Sequence, residues 1–296
     1  MELKDIKREF DKTFEFEVFP TGSLVLDRVI LGCGGLPAGR MIELAGEWGA
    51  GKSTIAQFIA SAFMKKGVVL YIDNENSIDA GRMREMGVDV RSERFVVSQV
   101  ELERLFPMIK DFVLKVREAG VQNVLVILDS LPATTHKEEM GIGYMSRYIS
   151  GYIPSFSQFL IKTGTIFLII NQYRSLINFG DDFYPVQDKV WTPGGYALKH
   201  FVHIRVAIRC IKTYDDGIES VLLTMKNKFS SPAKSSIRIN FRTGIDMRDD
   251  LRKYLIYLGK LKEDKRSKKW KLEGHDKLLE YDDPIIDELG LRILNL

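Results

Sequence analysis

The sequence has few cysteines and no long apolar stretch. Only Cys33 and Cys210 are present among 296 residues, and their spacing matches no metal-binding pattern, which excludes a disulfide scaffold and a zinc finger. No apolar run is long enough to cross a bilayer, and the first residues lack the apolar segment of a signal peptide. We therefore expect free thiols, a reducing compartment, cytoplasmic localisation and no membrane partner.

An excess of charge of one sign is also missing. The 43 Lys and Arg residues stand against 40 Asp and Glu residues, which gives a formal net charge of +3. The overall charge therefore does not indicate a nucleic-acid partner, and any such surface must come from local clusters. The length allows one large core and a small appendage, and no internal repeat is visible.

The chain does contain a phosphate-binding loop. Residues 46–53 fit the pattern G-x-x-x-x-G-K-[ST], between a predicted strand at 41–46 and a predicted helix at 53–63. Glycines let backbone N–H groups surround phosphate oxygens, Lys52 would reach the β- and γ-phosphates, and the Ser53 hydroxyl would hold Mg²⁺. The predicted nucleotide-binding residues of this region are Gly46, Glu47, Trp48, Gly49, Ala50, Gly51, Lys52, Ser53 and Thr54.

The helix after the loop has its own apolar pattern. Its predicted apolar face comprises Ile55, Phe58, Ile59, Ala62 and Phe63.

Strand-like and helix-like segments alternate through most of the chain. The strand-like runs that are apolar throughout lie at 41–46, 68–73, 95–98, 124–129 and 165–171. Apolar residues at helical spacing lie between them, as at Leu102, Leu105, Phe106, Ile109, Phe112, Val113 and Val116. This alternation predicts an α/β fold with a mainly parallel central sheet covered by helices on both faces.

The pattern changes after residue 202. Runs at 203–211, 219–228 and 235–241 are strand-like, and residues 214–217 have the composition of a hairpin turn. We expect these strands to extend one edge of the sheet in antiparallel fashion. The predicted domains are an arm or short helix at 1–20, a core at 21–246 and a small C-terminal domain at 247–296.

Two carboxylates follow the ends of predicted strands. Asp129 ends the 124–129 strand and would organise Mg²⁺ through water, although a strand-terminating acid is the structural alternative. Glu75 lies just beyond the 68–73 strand and would polarise the water that attacks the γ-phosphate. Asp73 is the rival for this role, and a solvated loop acid is the structural alternative for Glu75.

Further polar residues extend this pattern. Gln172 follows Asn171 at the end of another strand, where an amide can bond the γ-phosphate or simply cap the strand. Lys226 and Lys228 are two residues apart on one strand and so share a face. They either face solvent or meet an anion, such as a nucleotide held by a neighbouring subunit.

Two irregular segments interrupt the alternation. Residues 135–145 are rich in glycine and methionine, and residues 173–193 interleave cations with aromatic rings. Long irregular segments inside a compact domain are usually functional. Cations with aromatic rings suit single-stranded nucleic acid, and Arg147 offers a further phosphate contact. A surface loop without a ligand is the alternative.

These motifs, in this order, resemble the RecA family of ATP-dependent DNA strand-exchange proteins, most closely its bacterial and phage type. The similarity covers about residues 21–241. The matching stretches are 21–27, 34–40, 46–53, 71–75, 128–130, 169–174, 194–199 and 226–228.

The resemblance implies an ATP-hydrolysing enzyme that uses ATP and Mg²⁺. Lys52, Glu75 and Gln172 are the catalytic residues it implies, with Ser53 and Asp129 at the metal. Asp79 lies near the adenine in relatives, and Arg82 stands where many of them have an adenine-stacking tyrosine. Contacts to the ATP of the neighbouring subunit would come from Lys226, Lys228 and His200.

The resemblance also implies DNA partners. Relatives form helical filaments on single-stranded DNA, which then pairs with homologous duplex DNA, and the two irregular segments match their DNA-binding loops. The implied DNA-binding residues are Met140, Gly141, Ile142, Arg147, Arg174, Phe179, Phe183, Lys189, Trp191, Gly194 and Gly195.

Our leading hypothesis is a DNA-stimulated ATPase that forms such filaments and exchanges strands. A RecA-like ATP-binding mediator of another recombinase is the alternative, because residues 1–20 are shorter than the N-terminal helix of bacterial relatives. A helicase or motor ring ranks last because no helicase-specific motif is present. The basic run at 260–271 either gathers duplex DNA or is an exposed charged face.

Overall fold

The structure is a computed structural model that describes residues 16–135, 143–173 and 192–294. Its strands are β1 (Val18–Phe19), β2 (Leu36–Pro37), β3 (Met41–Gly46), β4 (Val68–Asp73), β5 (Phe95–Ser98), β6 (Val124–Asp129), β7 (Ile166–Gln172), β8 (Ile204–Tyr214), β9 (Gly217–Asn227), β10 (Lys234–Asn240), β11 (Gly244–Ile245), β12 (Leu261–Glu263), β13 (Trp270–Leu272) and β14 (Leu278–Leu279). Its helices are α1 (Val25–Ile30, a π-helix), α2 (Lys52–Phe63), α3 (Ala80–Glu85), α4 (Leu102–Glu118), α5 (Tyr144–Thr163), α6 (Gly195–Phe201), α7 (Met247–Tyr257) and α8 (Pro284–Leu294).

The central sheet has nine strands in the order β11-β10-β9-β8-β3-β7-β6-β4-β5. The strands from β8 to β5 are parallel, whereas β9, β10 and β11 pair in antiparallel fashion at the other edge. The predicted α/β fold with an antiparallel edge extension is therefore confirmed. β3, which leads into the phosphate-binding loop, lies between β8 and β7 near the middle of the sheet.

The central strands are buried on both faces, as their continuous apolar sequences predict. Every residue of β3, β4 and β6 is buried. One apolar cluster contains residues of α2 and α1, and the opposite cluster contains residues of α4 and α5. Because β8, β3, β7, β6, β4 and β5 are parallel, their carboxyl ends meet at one edge of the sheet, where ligands of such folds bind.

The apolar face predicted for α2 does face the core. Ile55, Ile59 and Phe63 are buried in the first cluster, and the half-buried Phe58 packs against it. The buried face is wider than predicted, because Ala56 and Ala60 are also fully buried. The Phe58 ring lies close to Gly22 and Gly244.

Segment boundaries also differ slightly from the prediction. Tyr144 and Met145, placed by sequence in the first irregular segment, begin α5. β7 extends to Gln172, and β8 and β9 reach the Asp215–Asp216 turn. Sequence polarity marks the ends of strands less sharply than backbone pairing does.

The chain after residue 246 packs around a small apolar cluster of its own. Its buried members are Leu251, Leu255, Leu261, Leu272, Leu279 and Ile286. Asp250 ties this region to the core, since its carboxylate accepts hydrogen bonds from Ser23 Oγ at 2.5 Å and from Leu24 N at 2.6 Å. None of the helices in the described ranges combines the length and apolar character needed to cross a bilayer.

Candidate nucleotide site and the adjoining loop stems

The phosphate-binding loop connects β3 to α2. Gly49 and Gly51 have φ angles of 73° and 85°, in the left-handed region that disfavours other residues. A Cβ at Gly51 would also lie 2.5 Å from Ile239 Cδ1. At Gly46, a Cβ would lie 2.2 Å from the Ile208 carbonyl oxygen of β8. The glycines of the motif are therefore required by backbone geometry and close packing.

Lys52, the first residue of α2, folds back on this loop. Its Nζ donates a hydrogen bond to the Glu47 carbonyl oxygen at 2.6 Å, and its side chain is mostly buried. Burial lowers the pKa of Lys52, and the carboxylates of Glu75, Asp129 and Glu47 oppose that change. The ammonium group thus lies inside the loop with acidic groups nearby.

Asp129 lies behind the loop, fully buried at the end of β6. Ser53 Oγ donates to its Oδ1 at 3.2 Å, and the Tyr71 hydroxyl donates to its Oδ2 at 2.6 Å. Burial raises the pKa of Asp129 to about 6, against the effect of these two hydrogen bonds. The carboxylate is therefore held by hydroxyl groups while it remains buried.

This arrangement fits a bound Mg²⁺. The ion prefers oxygen ligands and usually shares them with substrate phosphates. Ser53 and Asp129 present such oxygens, and a cation beside Asp129 would offset its buried charge. In the described ranges, no cluster of three or more His, Cys, Asp or Glu side chains could hold a metal alone. Phosphate oxygens would therefore have to supply further ligands.

Glu75 lies in front of the loop, in a small hydrogen-bonded group. Ser130 Oγ donates to Glu75 Oε1, and Gln172 Nε2 donates to the same oxygen at 3.3 Å. The rival Asp73 is buried and accepts hydrogen bonds from the backbone N–H groups of Ser77 and Ile78. Asp73 therefore shapes the turn after β4, whereas the exposed Glu75 is available to a ligand.

A cavity of about 230 Å³ joins these elements. It is lined by Trp48, Gly49, Gly51, Lys52, Ser53, Thr54, Glu75, Ile170, Gln172, Ile218, Ile239 and Phe241. The structure thus brings most of the predicted phosphate-contacting residues to one opening at the carboxyl ends of β3, β4 and β7.

Asp79 and Arg82 lie beside this opening. Asp79 caps α3 and accepts a hydrogen bond from Arg82 N at 2.7 Å. The Arg82 side chain donates to Thr54 Oγ1 at 2.5 Å and to the Phe241 carbonyl oxygen at 2.7 Å. Arg82 therefore bridges the start of α2 and the turn after β10, and its role toward a base stays a prediction.

Lys226 is level with Glu43 in the sheet, several residues before the loop, and neither Lys226, Lys228 nor His200 lines the cavity. Lys226 Nζ donates to the carbonyl oxygens of Lys199 at 2.8 Å and His200 at 2.6 Å. Its pKa is lowered to about 8, mainly by burial and further by Lys228 and Arg205. The predicted contact of these residues with a neighbouring nucleotide stays a prediction.

Most of the predicted DNA-binding residues lie outside the described ranges. These are Met140, Gly141, Ile142, Arg174, Phe179, Phe183, Lys189 and Trp191. The described ones are Arg147 in α5 and the glycines that begin α6, Gly194 and Gly195. A Cβ at Gly195 would lie 2.9 Å from Ser146 Cβ, so the chain after the second irregular segment packs on the start of α5.

We call the described residues on either side of 174–191, at 171–173 and at 192–195, the two stems of the second irregular segment. A buried polar group that lies between these stems was not predicted from the sequence. Glu43 on β3 accepts hydrogen bonds from Asn171 and Arg205, and Arg205 donates to Thr192 at 3.3 Å. One feature of the sequence could have indicated this group: Glu43 lies inside the apolar run of β3, and a buried charge needs a partner.

The predicted basic run at 260–271 is interleaved with acids. Lys260, Lys268 and Lys269 each lie within 4 Å of a glutamate carboxylate. The other cations of the run, Lys262, Lys265, Arg266 and Lys271, are largely exposed, so both interpretations of the run stay predictions.

Comparison with known proteins identifies the relatives. The family description "RecA N-terminal domain" matches residues 5–246. The chain is 37% identical over 235 residues to "Protein RecA" of Bifidobacterium breve, covering 74% of this chain and 56% of the relative. It is 30% identical over 292 residues to "Protein RecA" of Tropheryma whipplei (strain Twist), covering 94% and 62%. A match to "Protein RecA, plasmid" of Lactococcus lactis subsp. lactis is 34% identical over 258 residues, covering 83% and 72%. The chain thus spans only 56% of the first relative's length and 62% of the second's.

Proposed function

The chain belongs to the RecA family, and on that basis we propose that it is a DNA-dependent ATPase. In this proposal the protein assembles as a helical filament on single-stranded DNA. It then pairs that strand with homologous duplex DNA and exchanges strands. ATP and Mg²⁺ are the proposed cofactors.

The observation that carries the proposal is the contact between Glu75 and Gln172. Gln172 is the last residue of β7, and the chain runs from it directly into the segment that contains Arg174, Lys189 and Trp191. A ligand that forms a hydrogen bond with Gln172 in the cavity therefore contacts the residue at which the chain leaves β7 for that segment. This continuity supports coupling between a nucleotide and a DNA-binding segment.

The site residues support in-line phosphoryl transfer. The loop N–H groups and Lys52 would bind the phosphates, and Glu75 would orient the attacking water and accept its proton. Ser53, with Asp129 behind it, would hold Mg²⁺, which neutralises phosphate charge when bound. Lys226 and Lys228 of a neighbouring copy would complete the charge stabilisation.

The test measures ATP hydrolysis with and without single-stranded DNA, on the wild type, Lys52→Ala and Lys65→Ala. We expect about tenfold or greater stimulation by DNA. Lys52→Ala should lower the stimulated rate by about 100-fold or more, because it removes a cation from the phosphates. Lys65 is exposed beyond the end of α2, so Lys65→Ala serves as the matched control.

Strand exchange needs a separate assay. With ATP, the wild type should transfer a labelled strand from homologous duplex DNA, and not from a duplex of unrelated sequence. Hydrolysis that DNA does not stimulate, together with no strand transfer, would contradict the proposal and favour the mediator.

A further inference from the structure

Glu43 occupies the middle of β3 and is completely buried. Each of its two carboxylate oxygens has a different partner. Oε1 accepts a hydrogen bond from Asn171 Nδ2 at 2.8 Å, and Oε2 accepts one from Arg205 Nε. Asn171 belongs to β7 and Arg205 to β8, so Glu43 joins the two strands that flank β3 in the sheet.

The Asn171 side leads to the first stem of the segment at 174–191. Asn171 Oδ1 accepts a hydrogen bond from the Gln172 backbone N–H at 3.0 Å. The Asn171 amide also donates to the Pro193 carbonyl oxygen at 3.0 Å, across the gap between the stems. One side chain therefore contacts both the residue that enters the segment and a residue that follows it.

The Arg205 side leads to the second stem. Arg205 Nη2 donates to Thr192 Oγ1 at 3.3 Å, and Thr192 is completely buried. The described residues on both sides of 174–191 are thus linked to the same carboxylate, through Asn171 on one side and through Arg205 on the other. Removing the charge of Glu43 would leave Arg205 without this anion and weaken both attachments.

The same pair borders the lysines at the edge of the sheet. Arg205 lies opposite Lys226 in the antiparallel pairing of β8 with β9, and opposite Glu43 in the parallel pairing with β3. Like charges in opposite positions repel, so Arg205 and Lys226 need an anion nearby. Glu43 supplies that anion from the next strand.

We propose that Glu43 is a positioning residue that fixes both stems of the 174–191 segment to each other and thereby sets the Gln172 amide at the nucleotide site. The inference rests on the proposed function where it concerns DNA, and on the contacts above where it concerns the stems. In this proposal Glu43, which does not line the cavity, links the nucleotide site to the proposed DNA-binding segment.

Two substitutions test this assignment. Glu43→Gln removes the charge, and its amide has a single oxygen, so it cannot accept from both Asn171 and Arg205 as the carboxylate does. Thr192→Val is nearly isosteric and removes only the contact at the second stem, so it tests the proposal if Glu43→Gln does not fold. Thr224→Val is the matched control, because Thr224 is equally buried and its hydroxyl donates to the distant Ile30 carbonyl oxygen at 2.8 Å.

The first measurement is amide hydrogen exchange, which does not depend on DNA. Glu43→Gln should speed exchange by about tenfold or more at the amides of Gln172, Thr192, Gly194 and Gly195, as local opening predicts. Thr192→Val should do so only at residue 192, Gly194 and Gly195, and Thr224→Val at none of these amides. Wild-type exchange at both stems in a folded Glu43→Gln protein would overturn the proposal.

The second measurement is the ratio of the ATPase rate with single-stranded DNA to the rate without it. Glu43→Gln should lower this ratio by about tenfold, Thr192→Val by less, and Thr224→Val by less than about twofold. Faster exchange at the stems with an unchanged ratio would overturn the positioning role. A wild type that DNA does not stimulate would instead contradict the proposed function, which separates the two failures.

Discussion

Two regions of the same sheet bury a carboxylate in different ways. At the nucleotide site, Asp129 is held by the hydroxyl groups of Ser53 and Tyr71. At the loop stems, Glu43 is held by the guanidinium group of Arg205 and the amide of Asn171. Both side chains are completely buried, and only β7 separates their strands.

The difference indicates that the charge of Glu43 has a structural role, whereas the charge of Asp129 is suited to bind a ligand. A buried carboxylate with a fixed cation on it is neutralised by the fold itself. The burial penalty of a carboxylate whose hydrogen bonds come only from hydroxyl groups is compensated less. Burial accordingly raises the pKa of Asp129 to about 6, although the Lys52 ammonium lies nearby. We infer that the fold tolerates this penalty at the place where a metal ion would remove it.

The largest expected effect on stability tests the structural role of Glu43. Glu43→Gln should lower the free energy of unfolding by about 3 kcal/mol, because it leaves the Arg205 charge largely buried without its anion. Chemical denaturation at neutral pH measures this change. Glu288→Gln breaks an exposed pair with Arg292 and should change the same quantity by less than about 0.5 kcal/mol. Equal effects of the two substitutions would contradict the comparison.

Glu75 adds a carboxylate that is exposed and therefore free of a burial penalty. Glu75→Gln should lower the rate of ATP hydrolysis by about 100-fold or more, since an amide cannot accept the proton of the attacking water. Nucleotide binding and the free energy of unfolding should stay near wild type. Single-turnover hydrolysis after saturating ATP gives the rate, and Glu118→Gln at the exposed end of α4 is the control. Full turnover by Glu75→Gln would exclude the assigned role.

Substitution of Asp129 should change the free energy of unfolding in the opposite direction to substitution of Glu43. Asp129→Asn keeps an oxygen for Tyr71 and an amide for Ser53, and it removes the buried charge. We expect the protein without nucleotide to gain on the order of 2 kcal/mol of unfolding free energy, and the extra stabilisation by ATP with Mg²⁺ to disappear. Tyr71→Phe removes a donor to the same carboxylate and should instead destabilise the protein by about 1–3 kcal/mol.

Thermal unfolding with and without ATP and Mg²⁺ measures both quantities. A loss of stability in Asp129→Asn as large as that in Glu43→Gln would show that the two carboxylates are equivalent.

The sequence was sufficient for one region and not for the other. The phosphate-binding loop, Glu75, Asp129 and Gln172 were predicted because each follows a continuous apolar strand, and parallel strands end at one edge. The Glu43–Arg205 pair joins residues 162 positions apart, and its existence depends on β8 lying beside β3. Periodicity describes which face of a segment is apolar and does not say which strands become neighbours.

The full width of the buried face of α2 was missed for a related reason. The apolar spacing predicted Ile55, Ile59 and Phe63 in the core, and the structure agrees. Ala56 and Ala60 are also fully buried. How closely a helix approaches a sheet is a tertiary property that a local pattern does not contain.

Asp250 allows the finest test of the comparison. It is buried, no cation among the described residues forms an ion pair with it, and no ligand is predicted for it. Its carboxylate accepts hydrogen bonds from Ser23 Oγ and from the N–H groups of Leu24 and Val25. Burial raises its pKa from 3.8 to about 6. The native state therefore binds a proton more tightly than the unfolded state does, so the stability that Asp250 contributes falls as pH rises through this range.

Asp250→Asn should consequently destabilise the protein more at pH 5 than at pH 7.5. The difference should be about 1 kcal/mol, since one pKa unit corresponds to about 1.4 kcal/mol. Urea denaturation of both proteins at the two pH values measures it, and Glu288→Gln should show no such dependence. A loss that grows with pH would mean that the hydrogen bonds outweigh burial and lower the pKa of Asp250. In that case hydrogen-bond donors alone could neutralise a buried carboxylate in this fold, and the contrast between Glu43 and Asp129 would need an explanation other than the presence of a fixed cation.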